Sequence, residues 1–355
     1  DGTAVLDNAA ISELTISKGS VTANTVVTAT VTGGTFTSKS TVNAADTIVI
    51  NGSGAIVDAG DGSDTITVSE DAYGTNTLTL GDGKDQVIVD AGNSKVVITD
   101  LGIEDALTLV DASEETTATL SKTGVLNVVD AGQYNVTANV YTDVTTSDYA
   151  TDVKNKAKNN VYHASVNAGD AGIIDLYTAA GTTKNVTVNA TSVVADKTII
   201  DLTAAKSSEV TVAGTKATTI ALGNGKDIVS VGSTDGKTEI SGYNFANGDA
   251  ISVATGAVVL NKDGKLTVAV DDEDDETGVF VTTTANSNVY AAKVNSTDYY
   301  TAKTGAVKIA TDKTVADNVI DVAAASSSNI NITAGNAKVT IKSLSEGADV
   351  INVAA

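Results

Sequence analysis

Gly81-Asp82-Gly83-Lys84-Asp85-Gln86-Val87-Ile88-Val89 reads as a tight turn followed by a half-buried strand. The same unit recurs as Gly60-Asp61-Gly62-Ser63-Asp64-Thr65-Ile66-Thr67-Val68 and as Gly223-Asn224-Gly225-Lys226-Asp227-Ile228-Val229-Ser230-Val231. Its glycines let the backbone fold tightly with carbonyls turned inward, its second Asp supplies a hard oxygen ligand, and its alternating tail begins a strand. Three copies in an acidic chain point to calcium held between stacked β turns.

Outward from these units, the apolar residues fall in short β-branched runs instead of helical stripes. Residues 46–50, 64–68, 86–89, 96–99, 106–110, 218–222 and 228–231 each read as a strand of four to six residues, separated by Gly, Asn, Asp, Ser and Thr clusters that make turns without proline. Asp residues open strands at Asp46, Asp64, Asp85 and Asp105, spaced by 18, 21 and 20 residues. That interval fits one coil of a β-solenoid, in which stacked coils bring equivalent residues into ladders. The expected fold is therefore all-β, a repetitive β-solenoid or parallel β-roll with insertions. Tandem β-sandwich domains are the alternative, since their strands also arrive at regular intervals.

A longer duplication overlies the short period. The segment from Gly81 (GDGKDQVIV) is matched from Gly223, and that from Val96 (VVITDLGIEDALTLV) from Lys237. In the same order Thr119 (TLSKTGVLNVV) is matched from Val259 (VLNKDGKLTVAV), Val161 (VYHASVNAGD) from Val289 (VYAAKVNSTD), Val194 from Val315, and Thr218 from Val339. This order divides the chain into an N-terminal β region, 1–80, a first module, 81–222, and a second, 223–355. One helical stretch is expected at 147–158, where a Ser cap, early Asp and late Lys lie inside the insertion that lengthens the first module.

Composition narrows the function. The 355 residues include no Cys, Met, Pro, Trp or Arg and one histidine, His163, so the usual catalytic nucleophiles, acid-base groups and anion clamps are scarce and an enzyme is not expected. A carbohydrate-active or carbohydrate-binding β-helix, working through paired carboxylates, is the alternative. With 34 Asp, 10 Glu and a net charge of −22, nucleic acid and anionic membranes are repelled and divalent cations are the natural counter-charge. No apolar run approaches the roughly 18 residues that span a bilayer. The absence of cysteine leaves cohesion to the core, the hydrogen-bond ladders and bound cations.

The three units resemble the nonapeptide of the repeats-in-toxin (RTX) family of secreted bacterial proteins, Gly-Gly-x-Gly-x-Asp followed by an apolar residue. That resemblance implies a calcium-loaded parallel β-roll. It places the carboxylate ligand on Asp64, Asp85 and Asp227 and the carbonyl donors on Gly60, Gly62, Gly81, Gly83, Gly223 and Gly225. It covers about 27 residues, and the chain departs from the pattern: Ala59, Leu80 and Leu222 stand where the first glycine belongs, and the copies are not in tandem. Asp61 and Asp82 add a carboxylate to their turns, Asn224 only a carbonyl.

Four further features take structural readings. The acidic run 271–276 reads as a solvated hairpin tip, Tyr299 and Tyr300 as fillers of β surfaces, and His163, replaced by Ala in the matching segment, as an incidental surface residue. The uncapped pattern at both termini reads as an excised piece or as open β ends. The function expected is an extracellular structural protein, a calcium-stabilised subunit or segment of a bacterial surface layer, filament or adhesin. Its partners would be copies of itself, with cell-surface glycans the other class.

Overall fold

Each strand begins where a Gly- or Asp-bearing turn gives way to alternating Thr and Ile or Val. In Thr65–Val68, Ile66 and Val68 are buried while Thr65 and Thr67 remain partly exposed. The computed structural model describes residues 2–6, 11–23, 28–39, 45–90, 92–130, 134–141, 157, 159–181, 184–191, 194–269, 277–333, 335 and 338–354. Among them the regular structure is nearly all β, wound as a parallel β-solenoid, with two single-turn 3₁₀ segments at Gly169–Ala171 and Phe245–Asn247. The parallel pairing excludes the sandwich alternative. Of the expected helix 147–158 only Ala157 lies among the described residues, and the acidic run 271–276 lies outside them, although the strands flanking it, Lys265–Ala269 and Gly278–Thr283, pair antiparallel.

The chain divides into two compact units, Asp1–Ala180 with Val194–Lys197, and Gly181–Val193 with Thr198–Ala355. In the first, each coil contributes one strand to each of two facing sheets. One sheet stacks Thr47–Ile50, Thr65–Val68, Gln86–Val89 and Ala106–Leu109, so that Ile48, Ile66, Val87 and Leu107 form one buried column. The other stacks Gly34–Ser38, Ala55–Asp58, Tyr73–Thr79 and Asn93–Gly102, with Phe36, Val57, Leu78 and Ile98 in register. Burying both columns supplies the hydrophobic term that offsets the entropy of ordering the chain.

The parallel stack then changes direction. Asn93–Gly102 pairs parallel with Tyr134–Tyr141, which turns antiparallel through Val125–Asp130 to Thr117–Leu120. Meanwhile Ala106–Leu109 pairs parallel with Val161–Ala168, which is antiparallel to Ile173–Ala179.

The second unit repeats this plan. Lys237–Tyr243 pairs with Gly278–Thr283, then antiparallel with Lys265–Ala269 and Ala257–Leu260, while Ala250–Val253 leads into the hairpin Val289–Val294 and Thr297–Ala302. Register shifts fall at matching places, between Ile98 and Leu101 and between Ile240 and Tyr243. Matching hydrogen bonds recur as well: Gly102 N–H to Asp105 Oδ2 and Asn244 N–H to Asp249 Oδ2, both 2.7 Å. Beyond the second hairpin, Gly305–Ala310, Ala325–Thr333 and Asp349–Ala354 stack as a parallel sheet, with Asp317–Asp321 and Lys338–Ser343 continuing the sheet of the hairpin.

Candidate metal-binding turns

The register that stacks the strands also stacks the residue before each of them. Asp46, Asp64 and Asp85 are at most 2 % exposed and Asp105 is half-buried, and together they form a column one acid per coil. Three of the four cap the coil beneath: Asp64 Oδ1 accepts the Asp46 N–H at 2.7 Å, Asp85 Oδ1 the Asp64 N–H at 2.8 Å, and Asp105 Oδ1 the Asp85 N–H at 3.0 Å. In the second unit Asp249 Oδ1 takes the Asp227 N–H at 2.8 Å, and Asp227 Oδ1 takes the Ser208 hydroxyl at 2.7 Å. The other oxygens, Oδ2 of Asp64, Asp85 and Asp227, are buried and meet no hydrogen-bond donor.

The first two Gly-Asp-Gly turns lie one above the other. Gly62 and Gly83 face each other in a parallel bridge, and the Gly62 N–H donates to the Asp82 carbonyl at 2.8 Å. The fit requires glycine. A Cβ on Gly81 would sit 1.9 Å from the Gly60 carbonyl oxygen, and one on Gly83 1.4 Å from that of Gly62. The third turn has no such neighbour. Gly225 lies against Lys206, where a Cβ would come 1.6 Å from its carbonyl oxygen, and the Asn224 carbonyl already accepts the Asn247 side-chain amide at 2.8 Å. Adjacency thus joins Gly60, Asp61, Gly62 and Asp64 with Gly81, Asp82, Gly83 and Asp85, and leaves Gly223, Asn224, Gly225 and Asp227 apart in the other unit.

Burial sets the electrostatics of the column. Loss of water pushes the Asp64 carboxyl up to about 7, against the partial relief of the Asp46 N–H, with Asp46 and Asp61 adding repulsion. Asp85 is pushed up to about 8 by burial and by Asp105, Asp64 and Asp100. Asp105 rises to about 6, and its counterpart Asp249 likewise to about 6, mainly by burial. Asp58 and Asp100 flank the same corner and are also raised by burial, while Asp100 caps the Leu80 and Gly81 N–H groups at 2.8 and 3.1 Å.

Hard oxygen donors are therefore present around the stacked turns, including two buried oxygens without donors, which fits calcium. Among the described residues no three acidic or histidine side chains already converge on one point. Sequence reasoning passed over Asp58, Asp100 and Asp249 as contributors to this chemistry. For Asp249 a signal existed: Gly248-Asp249-Ala250-Ile251-Ser252-Val253 repeats the Asp-x-apolar-x-Val tail. His163 is a correction, being stacked on Tyr177 and 3.8 Å from Asp175 instead of lying free on the surface. Tyr300 is 7 % exposed, a core filler as expected.

No protein-family profile matches the chain, and no curated protein matches it. Among solved structures, extracellular lipase LipA from Serratia marcescens is similar at 16 % identity and a TM-score of 0.18, over 67 % of this chain and 37 % of the lipase. At that level nothing of the lipase's chemistry carries over to this chain.

Proposed function

We propose that the chain is an extracellular structural protein without catalytic activity, a calcium-stabilised subunit or segment of a bacterial surface layer, filament or adhesin. The observation that carries this reading is the buried carboxylate column beside the stacked turns of Gly60–Asp64 and Gly81–Asp85, with Oδ2 of Asp64 and Asp85 buried and without a donor. Ionised carboxylates one coil apart repel each other in a poorly solvated place, and a divalent cation is the counter-charge that lets them ionise without protons. Asp61, Asp64, Asp82 and Asp85 with the glycine carbonyls would hold it. Millimolar calcium outside a cell would then favour the wound solenoid by mass action.

Association with other copies is the second part of the proposal. In the sheet Gly305–Ala310, Ala325–Thr333, Asp349–Ala354, the residues Ile309, Ile330 and Ile351 share one column, with exposures of 2, 0 and 44 %. Val350 and Val353 on that outer strand are 48 and 70 % exposed. A coil added beside this strand, whether from a continuation of the same polypeptide or from another copy, would cover these residues. Negative-stain electron microscopy in about 5 mM calcium and in excess chelator tests both parts. Filaments or sheets that vanish on chelation are the expected result; single particles in both samples, with no calcium-dependent rise in melting temperature, would refute the proposal.

A further inference from the structure

The duplication gives the hairpin of the first copy a counterpart in the second, and the two differ at one informative place. In the first, His163 stands opposite Tyr177 and Ser165 opposite Asp175; in the second, Ala291 stands opposite Tyr300 and Lys293 opposite Asp298. The same hydrogen bond pins both: Thr178 Oγ1 donates to the Leu120 carbonyl and Thr301 Oγ1 to the Leu260 carbonyl, each at 2.8 Å. In both, a tyrosine ring, Tyr162 or Tyr290, covers the turn glycine, Gly124 or Gly264.

Against this shared frame, the His163 imidazole lies flat on Tyr177, centroids 4.2 Å apart and planes 6° from parallel. Ala291 offers Tyr300 no such ring. A cavity of about 350 Å³ lies there instead, bordered by Ala291, Tyr300, Phe245, Ile309, Asn286 and Lys308. Phe245 meets Tyr300 edge-on at 5.8 Å and 76°. The space falls within the size range of small-molecule sites, which are largely apolar with a few polar groups that fix orientation.

We propose that this cavity binds a small aromatic carboxylate, its ring taking the place beside Tyr300 that the His163 ring takes on Tyr177. The tyrosine face and the Phe245 edge suit a flat ring. The charges suit an anion: Asp298 is offset by Lys293 Nζ at 3.6 Å, and Lys308 stands exposed at the rim with the Asn286 amide nearby. A lysine bordering a slot of mixed polar and apolar lining, in a chain of net charge −22, suits this place to a negatively charged ligand.

The test uses the full chain with benzoate as probe, by saturation-transfer NMR and calorimetry. Binding in the millimolar range or tighter is expected. Ala291→His should rebuild the first copy's stack and weaken benzoate at least about tenfold. Lys308→Ala should weaken benzoate about tenfold while leaving benzyl alcohol unchanged. No saturation transfer at about 10 mM benzoate, or a folded Ala291→His variant that binds like the parent, would overturn the proposal. If circular dichroism shows Ala291→His unfolded, Lys308→Ala decides: benzoate and benzyl alcohol affected alike overturns it, and a loss confined to benzoate supports it.

Discussion

Replacing Asp85 with Asn should stabilise the protein without calcium and lose that advantage with calcium. Asp85 is 1 % exposed, its Oδ1 accepts the Asp64 N–H at 2.8 Å, and its carboxyl is pushed from 3.8 to about 8 by burial and neighbouring acids. Asn keeps the acceptor and removes the charge. A pKa raised on folding means that the native state binds the proton more tightly, so stability falls as pH rises from 3.8 towards 8. A shift of about four units, at about 1.4 kcal/mol each, sets a ceiling of about 6 kcal/mol on the cost of ionising Asp85 in the fold. Because Asp64 and Asp105 titrate in the same column, about half of this, ~3 kcal/mol, is the share a single substitution removes. That corresponds to a rise of about 6–12 °C in melting temperature at pH 9 in chelator, and to about a third of that at pH 5. Calcium at 100 times its dissociation constant adds about 2.7 kcal/mol to the parent and little to the variant, so the gap closes or reverses. Calorimetric melting at the two pH values, with calcium and with chelator, reads all four corners. A melting difference that is the same at pH 5 and pH 9 would refute the electrostatic reasoning, and an equal calcium response in both proteins would refute the ligand assignment.

The parent protein in chelator should lose melting temperature from about pH 4 upwards and level off above about pH 8, because the unfolded carboxyls ionise near 3.8 while burial keeps those of Asp105, Asp64 and Asp85 protonated in the fold up to about 6, 7 and 8; a flat profile would contradict this. Gly83→Ala sets a Cβ 1.4 Å from the Gly62 carbonyl oxygen and should cost about 3 kcal/mol or more in urea unfolding. Gly54→Ala, with nothing within 4 Å of its Cβ, should cost about 1 kcal/mol for its positive φ alone. Ile330→Ala should cost about 2–5 kcal/mol, while Ile351→Ala should cost less than about 1 kcal/mol in the monomer and suppress assembly in sedimentation runs with calcium.

The coil was legible because one number carries it. Spacings of 18, 21 and 20 residues between Asp46, Asp64, Asp85 and Asp105 equal the register offsets between Thr47, Thr65, Gln86 and Ala106. Strand direction was not legible, since inward and outward residues alternate with period two in parallel and antiparallel strands alike. Thr117–Leu120 and Val125–Asp130 look in sequence like any two strands of the winding, yet they form a hairpin. A signal for it was available in the turns Ser121-Lys122-Thr123-Gly124 and Asn261-Lys262-Asp263-Gly264, whose glycines adopt φ of 77° and 79°. The site divided in the same way. That Asp64 and Asp85 stack follows from their spacing, whereas Asp249 capping Asp227 was signalled only by the Asp-x-apolar-x-Val tail, without the Gly-x-Gly turn before it.

The carboxylate column explains why so acidic a chain can wind tightly. Every coil leaves backbone N–H groups at its corners that the next strand cannot reach, and a short side chain with an oxygen two bonds from Cα can reach them. Asn does this elsewhere in the same winding, where Asn76 Oδ1 accepts the Ala55 N–H at 2.9 Å, so capping alone does not require a charged residue. At Asp64, Asp85 and Asp105 the chain uses acids where amides would serve the hydrogen bond equally well. On the proposed reading that choice couples the winding to its surroundings: without a cation the column must stay partly protonated, and with one it ionises at no cost to the stack. A variant carrying Asn at Asp46, Asp64, Asp85 and Asp105 should therefore be at least as stable as the parent in chelator, depend less on pH and stop responding to calcium, and a retained calcium response would place the ion elsewhere on the chain.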